Sequence, residues 1–214
     1  MQLSLNNSQI KISLLVLIHL VGYLGIKSSF QDYFLLLTPL NLLISSFILF
    51  YGKFSKIPLL SYFYIMCFTL CLEILSVKTG FPFGHYSYEA SLGLKIFGVP
   101  LLIGFNWALL LYICSNISNQ LIESNIVISN VLQSRFIKSL LTASMMLIVD
   151  LFIESKAGYL ELWHWQNEVI PLSNYISWFA ISFVLSFFFR TNENDTASEN
   201  FIYLIILCLF FALL

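Results

Sequence analysis

Charge is scarce in this chain: Asp, Glu, Lys and Arg together make up 10% of its 214 residues, against roughly 25% in an average soluble domain. Too little polar surface remains to coat a globule in water. The formal net charge of -1 offers no basic field for nucleic acid and no acidic field for a basic partner, so nucleic acid is not expected to bind. Histidine is nearly absent. His19, His85 and His164 are the three present, and no H-x-x-x-H spacing joins them, so a bound metal is not expected. The four cysteines, Cys67, Cys71, Cys114 and Cys208, all lie inside apolar runs. Cys67 and Cys71, at helical i,i+4 spacing, read as lipophilic packing residues rather than a disulfide or metal pair. No cleavage site follows the first apolar run, which is therefore expected to stay as a helix.

What the chain has instead is apolar length. Hydrophobic residues make up 59% and aromatics 17%, and the mean hydropathy is +0.87. A membrane-crossing helix needs about 20 apolar residues. Seven candidate runs are present: 10–26, 34–51, 57–77, 99–117, 136–153, 170–189 and 201–214, the last with only 14 residues. Backbone groups in lipid must be paired within their own segment, so helices are expected throughout. These runs predict an all-α polytopic transmembrane bundle of six or seven spans. It is read as one domain over 1–214, multi-pass in the cell membrane, with the lipid bilayer as its surroundings.

Lys and Arg divide between the two faces as Lys11, Lys53, Lys56, Arg135, Lys138 and Arg190 against Lys27, Lys78, Lys95 and Lys156, which votes for a cytoplasmic N-terminus. The acids are more lopsided. Asp32, Glu73, Glu89, Asp150, Glu154, Glu161 and Glu168 fall on the face with fewer basic residues. Glu123, Glu193, Asp195 and Glu199 fall on the other.

Two stretches share a pattern. Glu73 precedes Tyr86 by 13 residues and Tyr88 by 15, and Asp150 precedes Trp163 and Trp165 by the same spacings. Pro100 stands seven residues before Trp107, and Pro171 seven before Trp178. Each copy, about 73–107 and 150–178, reads as a helix ending in a carboxylate, an aromatic-x-aromatic pair, a proline at a helix start and a tryptophan two turns in. An even number of helices separates the copies, which predicts a parallel repeat about an axis along the membrane normal, with a site between the copies. Gly80, Gly84, Gly93 and Gly98 make the first connection pliable enough to fold back over a cavity. The four paired aromatics otherwise read as an interfacial belt.

Carboxylates inside apolar helices are the sharpest chemical signal. An unpaired carboxyl in such a place keeps its proton near neutral pH and becomes a general acid. The bland alternative pairs Glu73 with Lys78 and Glu154 with Lys156. The segments TGFPFGHYSYEASLGLKIFGVPLLIGFNW (79–107) and VDLFIESKAGYLELWHWQNEVIPLSNYISW (149–178) resemble the two signatures of the membrane carotenoid-biosynthesis hydratases, the carotenoid 1',2'-hydratases of the bisanhydrobacterioruberin hydratase type. With the helix pattern, the resemblance covers most of the chain. The family's D-x-x-x-D-P element falls on Asp150 and Glu154, with Ser155 in place of its proline. Glu168 and Val169 stand where the family has glycine and an aromatic residue before the second proline.

The resemblance implies addition of water across the terminal C1'=C2' double bond of a linear carotene end group, without a cofactor and with a lipophilic carotene and water as partners. Asp150 and Glu73 are the expected proton donors, Asp150 preferred, with Glu154 orienting water or facing the cation. Tyr86, Tyr88, Trp163 and Trp165 offer π faces to that cation, each contributing about 0.5–2 kcal/mol. Phe81 and Phe83 are expected to line the polyene channel, and Asn106 and Asn174 to bond water or hydroxyl. A carotene cyclase shares the protonation step and quenches the cation with an internal double bond. A non-catalytic carotenoid-binding or transport protein is the alternative from another class. A di-iron carotenoid hydroxylase lacks its histidine clusters here, and a prenyltransferase lacks the second acidic motif that holds a magnesium diphosphate.

Overall fold

The computed structural model describes residues 7–51, 59–123, 135–188 and 197–214. Among them are eight α-helices: α1 (Asn7–Ile26), α2 (Gln31–Leu36), α3 (Thr38–Phe50), α4 (Leu59–Thr79), α5 (Leu101–Glu123), α6 (Arg135–Glu154), α7 (Leu172–Phe188) and α8 (Ala197–Leu213). Four of them, α1, α4, α5 and α6, are long and apolar enough to cross a membrane, and three shorter apolar helices accompany them at Thr38–Phe50, Leu172–Phe188 and Ser198–Leu213. The all-α expectation fits these elements. Lys53, Lys56, Arg190, Glu193 and Asp195, used in the orientation count, lie outside the described residues.

Every expected apolar run contains a helix, with one change of form. The run 34–51 is not one helix: it breaks at Leu37 (φ -85°, ψ -2°), and α3 restarts with Pro39 in its first turn. Proline has no N–H to donate into the preceding turn, so α2 cannot run on through it. The final helix is longer than the apolar run suggests, because Ala197–Asn200 form its polar first turn.

The helix α5 is the axis of the bundle. Of the four long helices it is the most enclosed, with 72% of its apolar stretch buried, against 39% for α6 and 22% for α1 and for α4. It packs against α4, α6 and α8, while α6 packs along α7 and α1 along α8. Gly104 lets α5 come close to α4, since a Cβ there would stand 2.6 Å from the Met66 carbonyl oxygen. Such small-residue contacts are the usual means by which helices in lipid come together.

Four short strands lie between the helices at one end: β1 (Tyr86–Tyr88), β2 (Lys95–Ile96), β3 (Val99–Pro100) and β4 (Trp163–Trp165). The connections after α4 and α6 are joined by antiparallel pairing of β1 with β4, in the register Tyr86 to Trp165, Ser87 to His164 and Tyr88 to Trp163. The strands β2 and β3 form a small hairpin. The first connection is tied down on both sides. Ser76 Oγ of α4 accepts from the Phe83 N–H at 3.1 Å and donates to the Gly84 carbonyl at 3.2 Å. From α7, Ser173 and Ser177 donate to the carbonyls of Phe83 and Pro82, each at 3.0 Å.

Candidate functional site

Strand alternation decides which side chains of the ribbon point inward. Successive residues face opposite ways, so Tyr86, Tyr88, Trp163 and Trp165 turn toward the bundle while Ser87, His85 and His164 are exposed. Under these four rings lie two glutamates. Glu73, six residues before the end of α4, is 3% exposed. Its Oε2 accepts from the hydroxyls of Tyr86 and, at 2.8 Å, Tyr88, and its Oε1 accepts from the Trp107 indole N–H at 2.9 Å. Glu154, the last residue of α6, is 7% exposed. Its Oε2 accepts from the indoles of Trp163 at 3.2 Å and Trp165 at 2.8 Å, and its Oε1 from Asn174 Nδ2 at 3.1 Å. Each glutamate is thus held by three donors, two of them from its own side of the ribbon.

The matched spacing led from Asp150 to Trp163 and Trp165, yet the indoles bond Glu154, one turn later. Asp150 is 1% exposed; its Oδ2 accepts from Asn174 Nδ2 at 3.2 Å, and its Oδ1 has no hydrogen-bond partner among the described residues. Asn174 therefore bridges the two acids with its two N–H groups. Lys78 and Lys156 do not pair with these acids: Lys78 lies over the Phe97 ring, 4.7 Å from its centroid, and the salt bridge among the described residues joins Lys11 to Glu199 at 3.6 Å.

A cavity of about 430 Å³ opens under the ribbon, mostly apolar in its lining. Glu73, Glu154, Phe83, Tyr86, Tyr88, Asn106, Trp163, Trp165 and Asn174 all line it. Two expected residues do not. Asp150 sits outside the lining, on the far side of its bond to Asn174, and the Phe81 ring is 68% exposed on the outer surface. Burial, followed by the neighbouring Glu73 carboxylate, pushes the hydroxyls of Tyr86 and Tyr88 above the usual phenol range. Both therefore stay protonated. No group of three or more His, Cys, Asp or Glu is arranged to hold a metal ion among the described residues.

Two wall residues had a signal in the sequence that pointed to position and not to role. Trp107 and Trp178, each seven residues after its proline, stack on one another at the cavity, and the N–H of Trp107 completes the shell of Glu73. Gly84 lets the two connections meet. Its φ is +132°, and an added Cβ would stand 2.4 Å from Pro171 Cγ and 3.0 Å from Trp165 Cζ3.

Residues 33–214, which hold every part of this constellation, match the model of the carotenoid biosynthesis protein family. The chain belongs to that family. No curated protein and no solved structure matches it. For a carotenoid biosynthesis protein, a mostly apolar cavity with a few polar groups in its wall is a fitting container, because a carotenoid is hydrocarbon along most of its length.

Proposed function

We propose that this carotenoid biosynthesis protein is a hydratase, adding water across the terminal C1'=C2' double bond of a linear carotene end group. The observation that carries the reading is the pair Glu73 and Glu154, two hydrogen-bonded carboxyls opening on one aromatic-walled apolar cavity. Protonation at C2' places a tertiary cation at C1', water adds there, and loss of a proton from the adduct leaves a tertiary alcohol. One proton is consumed and one released, so no cofactor is required.

Hydrogen-bond partners separate the roles. The Oε2 of Glu73 faces two hydroxyls, which accept as well as donate, so a proton on that carboxyl has somewhere to point. The oxygens of Glu154 face three N–H groups that only donate, which suits a carboxylate. We therefore assign Glu73 as the acid and Glu154 as the group that faces the cation and takes the proton from the captured water. Asp150, outside the cavity lining, becomes a residue that positions Asn174 and Glu154. The rings of Tyr86, Tyr88, Trp163 and Trp165 supply π faces to the cation, and Phe83 and Asn106 border the substrate.

We infer also that the shorter apolar helices α7 and α8 cross the bilayer beside the four long ones, giving six spans in the cell membrane, or seven where the 13-residue α3 crosses as well. A helix of 17 residues reaches about 26 Å, close to the hydrocarbon thickness. The stacking of Trp107 on Trp178, which joins matched positions, and the antiparallel register of β1 with β4, which centres on Ser87 opposite His164 and crosses the two aromatic pairs as a two-fold axis would, support the parallel repeat. Expression in a lycopene-accumulating host, followed by mass spectrometry of the extracted pigments, tests the reaction. A gain of one water per end is expected. Unchanged mass with an altered chromophore indicates cyclisation, and unaltered lycopene indicates a protein that only binds.

A further inference from the structure

The wall of the cavity is unevenly exposed. Among the described residues that line it, Leu17, Val21, Leu37, Leu40 and Ile44 are between 39% and 53% exposed, while the others are buried or half-buried. All five lie on α1, on α3 or at the residue just before α3. The cavity therefore reaches the outside of the bundle along the seam between these two helices. That seam is fastened on either side of the mouth. Toward the ribbon, the Phe34 ring takes the place that a side chain at Gly25 would need. At the other end, Lys11 Nζ donates to the Tyr51 carbonyl at 2.8 Å.

Depth decides what the mouth faces. Leu17 is the eleventh of the 20 residues of α1, a helix long and apolar enough to cross a membrane. A mouth halfway along such a helix opens on lipid chains and not on water. The cavity is also shorter than a carotene. Its lining runs from Leu17 to Ile26 on α1 and from Tyr203 to Phe211 on α8, heights of about 14 and about 12 Å at the rise of an α-helix. A linear carotene is a stiff rod about as long as the hydrocarbon core is thick, roughly 30 Å. Conjugation keeps it from folding to fit, so about half of it has to lie elsewhere.

We propose that the seam between α1 and α3 is a polyene slot. The reacting end group passes inward to Glu73 and Glu154, while the rest of the conjugated chain runs out past Val21 and Leu40 into the bilayer. The inference rests on the reading that the cavity holds a carotene. Apolar side chains on both edges of the mouth suit this occupant, since a polyene gains from contact area and has no polar group to pair. The substrate then arrives sideways from the lipid in which it is dissolved, without crossing water.

Purified protein in phosphatidylcholine nanodiscs, titrated with lycopene, provides the test. All four tryptophans of the chain line the cavity, so quenching of their fluorescence by the polyene reports its entry. Val21→Phe combined with Leu40→Phe plugs the mouth and should weaken binding about tenfold. Leu20→Phe combined with Leu43→Phe adds the same bulk to the same helices at positions of matching exposure, 50% and 48%, that do not line the cavity. This pair should stay within about twofold of the wild type, as should Val21→Ala combined with Leu40→Ala, which leaves the mouth open. Where the plugged pair does not fold, Leu40→Phe alone decides, with a loss of about threefold expected. A plugged mouth that binds like the wild type, equal losses in the two phenylalanine pairs, or an alanine pair as weak as the plugged one each overturn the slot. The expected pattern without any hydrated product supports the slot and overturns only the hydratase reading. Hydration of lycopene undiminished by the plug overturns the slot and leaves that reading standing. A wild type that binds no lycopene overturns both.

Discussion

Trp107 and Trp178 lie flat against one another, their ring centroids 3.7 Å apart and their planes 14° from parallel. One comes from α5 and the other from α7, and each follows a proline by seven residues. The stack closes the cavity between the two matched segments, and the Trp107 N–H reaches Glu73 at 2.9 Å. Packing and acid placement are therefore one structural event here: moving either tryptophan moves the wall and the shell of the carboxyl together.

Glu73→Gln should lower hydrated product by at least about 100-fold, the lower end of what general acid catalysis contributes. The amide keeps the shape and loses the acidic proton. Asp150→Asn should retain at least about a tenth of the activity, because Asn174 still has a side-chain acceptor at that position. Both are checked by pigment extraction from hosts expressing equal amounts of folded protein. A dead Asp150→Asn beside an active Glu73→Gln would return the donor role to Asp150.

Trp107→Phe removes one N–H donor from Glu73 while keeping an aromatic ring against Trp178. Activity should fall about tenfold, in line with one lost hydrogen bond to a charged or ionisable group. Trp107→Leu, which removes the stack as well, should fall further. Equal losses in the two variants would show that the ring, and not the N–H, matters.

Gly84→Ala should be more disruptive than Gly93→Ala, although both positions have positive φ. At Gly84 the added carbon would stand 2.4 Å from Pro171 Cγ, whereas at Gly93 the nearest atom is 3.6 Å away. Backbone strain alone costs about 1–3 kcal/mol, and overpacking adds about 1–3 kcal/mol. The expected result is a thermal midpoint several degrees lower for Gly84→Ala than for Gly93→Ala, measured by tryptophan fluorescence on heating in detergent.

Turnover in D2O with ¹⁸O-labelled water should give an alcohol with heavy oxygen at C1' and one carbon-bound deuterium at C2'. It should continue without air. Oxygen derived from O2 would remove the hydratase reading together with the acid roles of Glu73 and Glu154. A deuterated product without a hydroxyl would point to cyclisation.

Helix content, the positions of the apolar runs and the clustering of Glu73 with Tyr86 and Tyr88 were legible in the sequence, because they depend on local hydropathy and on short fixed spacings. The same reading paired Trp163 and Trp165 with Asp150. Spacing along the chain carries no information about which of two acids one helical turn apart a folded-back strand will reach, and the strand β4 brings its indoles to Glu154. Phe81 stood out as a channel residue by type alone, but the chain at Pro82 is held by Ser177 with that ring on the outside.

By itself the sequence determined that this is a helical chain built for an apolar surrounding, with carboxyls at the ends of two of its helices. The tertiary structure alone decided which carboxyls share a cavity and what stands opposite them. Hydropathy acts residue by residue along the chain and so can be read there. The lining of that cavity by His19, Asn41 and Tyr203 from three helices depends on how closely those helices approach, as where Gly22 lies against Asn41, and no stretch of sequence contains such a contact.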